Sequence, residues 1–412
     1  MNLSYEQRRS TLYGPLREEG IFTWDHMYGE EYALASLHMI DEEFRKEIAY
    51  ATEQLGLIFS KVIPVLQQGP DELLVELGIP KQALGAVRLS VWPEIPTLIG
   101  RFDFAQTPEG LKMLEFNSDT PTSIVEAYHV NGRVCQSYGV KDPNLGMAGH
   151  LRDGFQQLVL RYNQKGFETK RIVFSALDWH EEDKGTAKYL LNVSQLEGLF
   201  VPLEDLRVYE DSLHYLEQEQ YIPIDVLYRL HALEKMAEEQ DADGYPTGAH
   251  VLDLIARNKL AVINPPSGFL AQTKALQALI WNLHESKEFF TDNEHRVIET
   301  YMLPTYMENR FLGTSPFVSK PIFGREGGGV TLFGKDGELI ARDLENDYWE
   351  QPMIYQQLAE LETVEVETVK GLYTGNLLWG SFLVGGKASA IVARVGGKIT
   401  GNLSFYLPVG LT

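Results

Sequence analysis

The chain has 412 residues, with 36 Lys and Arg against 58 Asp and Glu, a formal charge of −22; it is long enough for a large core, and at ~100 to 200 residues per domain it allows two or three lobes. That charge repels nucleic acid and anionic membrane, which excludes both as partners, and favours a cationic one. Its single cysteine, Cys135, rules out an internal disulfide or a Cys-based zinc site, and with neither a signal peptide nor an apolar run of ~18 residues in the sequence the expected location is the cytoplasm.

Residues 1–27 are polar and mixed. From residue 30 to about 62, Tyr32, Ala35, Met39, Ile40, Phe44, Ile48, Leu55 and Ile58 recur at near-helical spacing, which predicts one long helix ended by Pro64. His38 within it reads as a packed or solvated histidine rather than a ligand. Residues 71–78 and 81–85 read as short helices.

Residues 101–123, RFDFAQTPEGLKMLEFNSDTPTS, predict a β-hairpin, because 97–104 and 111–117 flank Thr107-Pro108-Glu109-Gly110, where Pro presets φ and Gly frees it. Side chains alternate along a strand, so Arg101 and Asp103 share a face, as do Met113, Glu115 and Asn117. Phe102, Phe104, Leu114 and Phe116 take the other. With the turn centred near Glu109, Asp103 falls opposite Glu115 and Arg101 opposite Asn117. Cross-strand Cβ atoms lie roughly 4.5–5.5 Å apart, so two carboxylates there repel unless something positive stands between them. Oxygen donors alone suit Mg²⁺, and Arg101 offers a fork to an anion. The competing reading is an acidic hairpin whose Arg pairs with its own carboxylates. After the strand, Thr120 reads as an N-cap and Pro121 as the first helical residue, with free N–H groups for an anion.

Helices are predicted over 123–136 and 147–165, the latter ended by Gly166. RIVFSAL, 171–177, is a buried strand of parallel-sheet type. Ligands gather at the carboxyl ends of such strands, and Glu181-Glu182-Asp183 follows before a helix over 186–193. Those acids either receive an ammonium or favour the helix start through its dipole. Residues 200–204 and 224–230 read as strands, 233–240 as helical, 241–248 as an exposed loop, 261–264 as a strand, and 270–284 as a helix carrying Lys274. Residues 317–340 read as strand, glycine-rich loop, strand, turn and strand. Gly324, Gly327, Gly328 and Gly329 lack Cβ atoms and let backbone N–H groups approach phosphate, with Lys320 supplying charge; a flexible hairpin tip is the alternative. Neither a Walker A loop nor a dinucleotide fingerprint fits the spacing. Residues 353–358 form a strand entering a loop, and 377–407 a meander.

The run Arg101-Phe102-Asp103-Phe104, then Leu114-Glu115-Phe116-Asn117 and Asp119-Thr120-Pro121-Thr122-Ser123, resembles the signature of the glutathionylspermidine synthase family. Lys320-Pro321-Ile322-Phe323-Gly324-Arg325-Glu326-Gly327 resembles that family's lysine and lid, and the likeness extends from about residue 22 onward. It implies a variant ATP-grasp fold, α+β, with mixed and antiparallel sheets, flanking helices and a glycine-rich β lid. Three approximate lobes follow: 20–165 with the hairpin, 166–265 as a substrate-binding α/β lobe, and 266–412 with the lysines, lid and final sheet. The synthetase domain is expected alone, without the amidase domain fused to it in some members.

The resemblance also implies roles. Asp103, Glu115 and Asn117 hold Mg²⁺, as two ions; Arg101 is catalytic, contacting the acid substrate and the transferring phosphate. Lys274, Lys320, Gly324, Gly327, Gly328 and Gly329 bind ATP, and Tyr355, Gln356 and Gln357 form the hinge on adenine. Asp119, Thr120, Thr122 and Arg394 bind substrate, and Glu181 and Glu182 border the amine. The implied activity is an ATP-dependent acid–amine ligase acting through an acyl phosphate, with small-molecule acid and amine as partners and either a monomer or a homodimer. The chain departs from the family at its end, where Arg394 precedes Val395-Gly396 instead of acids and Phe405-Tyr406-Leu407-Pro408 replaces an Arg-Phe-x-Pro-His pattern. A nucleotide-binding scaffold with impaired catalysis is the alternative. A glycosidase using Asp103 and Glu115 is a remoter one that leaves the lid unexplained.

Overall fold

The hairpin organises the structure, a computed structural model that describes residues 3–325, 327–343, 348–401 and 404–412. Ile99–Thr107 and Gly110–Asn117 pair antiparallel in the predicted register, Asp103 with Glu115 and Arg101 with Asn117. Gly110, at φ +101°, makes the turn that a side chain would strain. The predicted faces hold only down to Glu115. A bulge sets Phe104 opposite Met113, so Leu114 turns to the polar cleft and Met113 joins Phe102, Phe104 and Phe116 in the core. One extra residue in a strand reverses the alternation beyond it.

Hairpin and carboxyl-terminal strands form one antiparallel sheet, ordered Phe405–Leu407, Lys387–Gly396, Gly371–Val384, Ile99–Thr107, Gly110–Asn117, with Thr363–Thr368 also on Gly371–Val384. The expected separation of lobes at residues 165 and 266 therefore does not describe this sheet, whose strands come from both the first and the last lobe. The helix Glu42–Gln68 crosses it, placing Phe59 against Phe102 and Phe116 at ring distances of 5.7 and 5.1 Å. This helix starts twelve residues after the predicted position, capped by Asp41, whose carboxylate accepts from Phe44 N–H at 2.8 Å. Residues 30–40 form the short strands Glu30–Glu31 and His38–Ile40, the latter parallel to Val409–Leu411. Tertiary pairing there overrides helical periodicity. Pro64 lies inside the helix, where burial of Val62, Ile63 and Leu66 carries the chain past the lost N–H.

A parallel sheet, ordered Ala261–Ile263, Val226–Arg229, Ile172–Ser175, Gly198–Phe200, forms an α/β lobe. The Asn264 side chain at one strand end exchanges hydrogen bonds with Ile99, accepting from its N–H at 2.9 Å and donating to its carbonyl at 2.8 Å, and so ties this lobe to the hairpin. A small antiparallel sheet over Leu206–Tyr209, Ser212–Glu217 and Gln220–Ile224 hangs from it, unanticipated in the sequence reading. The third layer is antiparallel, ordered Thr305–Tyr306, Met353–Gln357, Phe317–Pro321, Thr331–Phe333, Leu339–Arg342, and carries the glycine loop between Pro321 and Thr331. Among the described residues no helix is long and apolar enough to cross a membrane.

Other helix boundaries also differ from expectation: the helix expected over 233–240 is confined to Leu233–Met236, and another, Thr247–Ala256, starts within the expected loop. Helix begins only after Ser123, which sits at φ +63°, so Thr120, in a bend, and Pro121 lie before it and Thr120 does not cap it. The helix near Lys274 is two, Phe269–Gln272 and Lys274–Ser286, broken at Thr273. The helix expected at 186 starts at Glu181, as Glu181–Ser194, with His180 as its N-cap.

Candidate active site

The cleft opens between the hairpin, the glycine loop and the carboxyl-terminal strands. Arg101, on a central strand, donates to both oxygens of Asp103 at 2.6 and 3.0 Å and to the Thr122 carbonyl at 2.9 Å. Burial alone would lower the Arg101 pKa, but the Asp103 carboxylate outweighs it and raises it. Gly380 makes the room: a Cβ there would stand 2.8 Å from Arg101 Cδ. Arg394, from the Lys387–Gly396 strand, adds a third charged hydrogen bond to Asp103 at 2.9 Å.

Glu115 projects beside Asp103 and meets Lys274 Nζ at 3.1 Å. Its burial would raise the carboxyl pKa, yet the Lys274 and Lys320 ammonium groups hold it at about 2. Lys274 owes its place to the break at Thr273, which starts a new helix with the lysine at its first position; Nζ also donates to the Gly324 carbonyl at 2.7 Å. Lys320 donates to the Leu114 carbonyl, exposed by the bulge, at 3.2 Å and to Gln356 Oε1 at 2.8 Å. Burial drives the Lys320 ammonium down to about 8 against the pull of Glu115.

Asn117 Nδ2 lies 3.4 Å from an Asp103 oxygen and 3.3 Å from a Glu115 oxygen. A half-turn of that amide presents Oδ1 to the same space, giving two carboxylates and one amide oxygen, a donor set that fits a hard divalent cation. Among the described residues there is no cluster of three His, Cys, Asp or Glu side chains that could hold a metal.

The cleft lining also includes Thr120, Thr122, Gly324, Gly327, Gln356 and Gln357. Six other predicted residues do not line it. Asp119 is buried and spent on Arg229, accepting at 2.6 and 3.2 Å, and on Leu233 N–H at 2.9 Å; it braces the cleft wall instead of facing a ligand. Gly328 and Gly329 sit behind the loop, where Gly328 N–H donates to the Arg325 carbonyl and Gly329 N–H to Asp343 Oδ2, at 2.7 and 2.9 Å. Tyr355 has strand partners on both sides, Tyr306 and Ser319, so the central strand leaves it no open backbone edge. Glu181 and Glu182 open their helix, as the dipole reading required. Glu181 accepts from Thr23 Oγ1 at 3.4 Å, and the charge of Glu182 reaches Tyr32.

Two features escaped the sequence reading. Leu358, Ala359, Leu361, Leu378 and Ile399 make an apolar slot in the cleft, the first three just past Gln357 in the chain. Arg325, in the loop, donates to Glu234 at 2.9 Å and to Thr120 Oγ1 at 2.9 Å, closing the loop against the α/β lobe. Its neighbour Glu326, part of the motif, lies outside the described residues. An arginine inside a glycine-rich lid was the available signal.

The fold is that of a glutathione synthetase-like protein: over 98% of both chains it superposes, with a TM-score of 0.61 at 12% identity, on the apo structure of a glutathione synthetase-like effector, GSS30, from Globodera pallida. A family model described as glutathionylspermidine synthase preATP-grasp matches residues 5–412, and the chain belongs to that family. It is 28% identical over 329 residues to a putative acid–amine ligase of Haemophilus influenzae, covering 76% of this chain and 74% of that one. It is 23% identical over 283 residues to the glutathionylspermidine synthase of Crithidia fasciculata, covering 62% and 37%. The bifunctional glutathionylspermidine synthetase/amidase of Escherichia coli matches at 23% over 372 residues, covering 83% of this chain and 56% of the relative. The match thus spans 37% and 56% of the length of these two longer relatives.

Proposed function

We propose that the protein is an ATP-dependent ligase of the ATP-grasp type, which joins a small-molecule carboxylic acid to an amine through an acyl phosphate. One observation carries the reading: Arg101, Arg394, Lys274 and Lys320 converge with Asp103, Glu115 and Asn117 in a single cleft roofed by a glycine-rich loop. Four cations around so few acids prepare a strongly anionic ligand site, as a triphosphate requires.

A carboxylate accepts an amine only after its oxygen becomes a leaving group. Lys274 and Lys320, both on the cleft wall, would neutralise nucleotide phosphates, and the apolar slot at Leu358, Ala359 and Leu361 would take the base. Arg101 and Arg394 would orient the acid and offset charge on the transferring phosphoryl group. Asp103, Glu115 and Asn117 would hold Mg²⁺, which when bound would supply positive charge to offset that of the phosphates. Arg325, through Glu234 and Thr120, would keep the loop shut and water away from the acyl phosphate. Glu181 and Glu182, which open their helix outside the cleft, would meet only an ammonium at the far end of a long amine. The family's prototype pair, glutathione and a polyamine, gives the first substrates to try.

Incubation with Mg-ATP, hydroxylamine and a panel of acids tests this. A hydroxamate forms wherever an acyl phosphate does, and ADP release rises with amine present. The altered stretch after Arg394 motivates the scaffold alternative, which predicts nucleotide binding with neither hydroxamate nor ADP from any acid.

A further inference from the structure

A second cavity, about 320 Å³, lies in the α/β lobe between the strand Val226–Arg229, the small antiparallel sheet and the helix Thr247–Ala256, and shares no described lining residue with the cleft. Its volume falls at the lower end of small-molecule sites. Leu206, Leu213, Leu227, Met236 and Val251 make the walls apolar. Arg229 also lines the cavity. It is 1% exposed, and although its Nη atoms are taken by Asp119 and the His231 carbonyl, its Nε is buried with no hydrogen-bond partner. A buried N–H without an acceptor is costly, and an oxygen from a ligand would relieve it.

The remaining polar lining has a sign. Glu204, Glu239 and Asp241 stand against Arg207 alone, since the Arg229 charge is matched by Asp119. Glu239 faces His231 Nε2 at 3.0 Å; burial lowers the His231 pKa, so at neutral pH the Glu239 charge stays uncompensated. The lining therefore combines a buried hydrogen-bond donor, hydrocarbon and exposed negative charge.

We propose that this cavity is a second ligand site, for a mono-N-acylated diamine: amide oxygen on Arg229, methylene chain along the apolar walls, free ammonium among Glu204, Glu239 and Asp241. The proposal stands apart from the ligase reading, because its residues are not those of the cleft.

Calorimetric titration of the full chain at neutral pH with N-acetylhexamethylenediamine is the test. Saturable one-site binding is expected, with acetamidohexanoate, which ends in a carboxylate, and hexylamine, which lacks the carbonyl, each about tenfold weaker or more. Val251→Trp, filling the cavity, removes binding while near-ultraviolet circular dichroism shows the fold retained. Glu239→Gln, at an exposed position, cuts the preference for amine over carboxylate by about threefold or more. Binding that survives Val251→Trp, equal affinity for acetamidohexanoate, or no saturation at millimolar probe overturns the proposal. Should Val251→Trp fail to fold, an unchanged preference in Glu239→Gln overturns it alone.

Discussion

At Lys320 an ammonium is held in a buried place between Glu115 and Lys274, at a pKa of about 8. Between that value and the ordinary ~10.4, the unfolded chain keeps the proton and the folded chain has lost it, so stability rises with pH across this window. Phosphate binding has the opposite sign, because it needs the charge. Affinity for a fluorescent ATP analogue should fall as pH passes ~8, by up to about tenfold per unit, and Lys320→Met should weaken binding at neutral pH and erase the slope. A wild-type profile flat from pH ~6.5 to ~9.5 would remove Lys320 from the nucleotide site. Glu115→Gln tests the neighbouring assignment. It should weaken Mg²⁺, read as Mn²⁺ binding by electron paramagnetic resonance, by about tenfold or more, the scale on which metal-site mutations act. It should also move the Lys320 transition below pH 8, since the Glu115 carboxylate is what supports that ammonium. Unchanged Mn²⁺ affinity would sink the metal assignment while leaving the lysine result standing.

Single local breaks in two regular elements set the site. The bulge at Leu114 turns one carbonyl toward Lys320, and the interruption at Thr273 puts Lys274 at a helix start. Thr273 Oγ1 accepts from Ala275 N–H at 3.3 Å and donates to the Leu77 carbonyl at 2.8 Å, so it caps the new helix and anchors it. Thr273→Ala should therefore cost about 1 kcal/mol in urea unfolding, with Thr273→Ser recovering most of it. Equal stability in all three proteins would mean that packing alone positions Lys274. Neither break was legible: the pattern over 270–284 reads as one helix because Thr273 interrupts no apolar position, and a bulge is invisible to strict alternation. The hairpin and its pairing of Asp103 with Glu115 and Arg101 with Asn117 were legible, whereas next to the turn, where Thr107 faces Gly110, the bulge leaves the register one residue away from that pairing.

On the scale of the molecule, one buried ion pair joins hairpin and α/β lobe. Asp119 and Arg229 have side chains 0% and 1% exposed, and although burial would raise the Asp119 pKa, Arg229 outweighs it and lowers it. Removing one partner strands the other charge in a low-dielectric interior, so Asp119→Ala should lose roughly 3–5 kcal/mol in chemical denaturation. A loss below about 1 kcal/mol would show that Asn264 and the apolar packing hold the lobes without it. Asp119 also shows the limit of sequence reasoning about function. A polar residue within a motif reads as a ligand group, whereas its partner lies 110 positions away in sequence and appears only once the chain is folded. By itself the sequence determined what local rules decide: a hairpin with Arg101 and Asp103 facing Glu115 and Asn117, a parallel strand ending in acids, and a lysine followed by a glycine loop. Tertiary structure alone decided which of those residues meet. It joined the hairpin to strands some 270 residues later, brought Arg394 onto Asp103, withdrew Asp119 into the wall and opened a second cavity, because cross-chain pairing and burial depend on distances that no local pattern encodes.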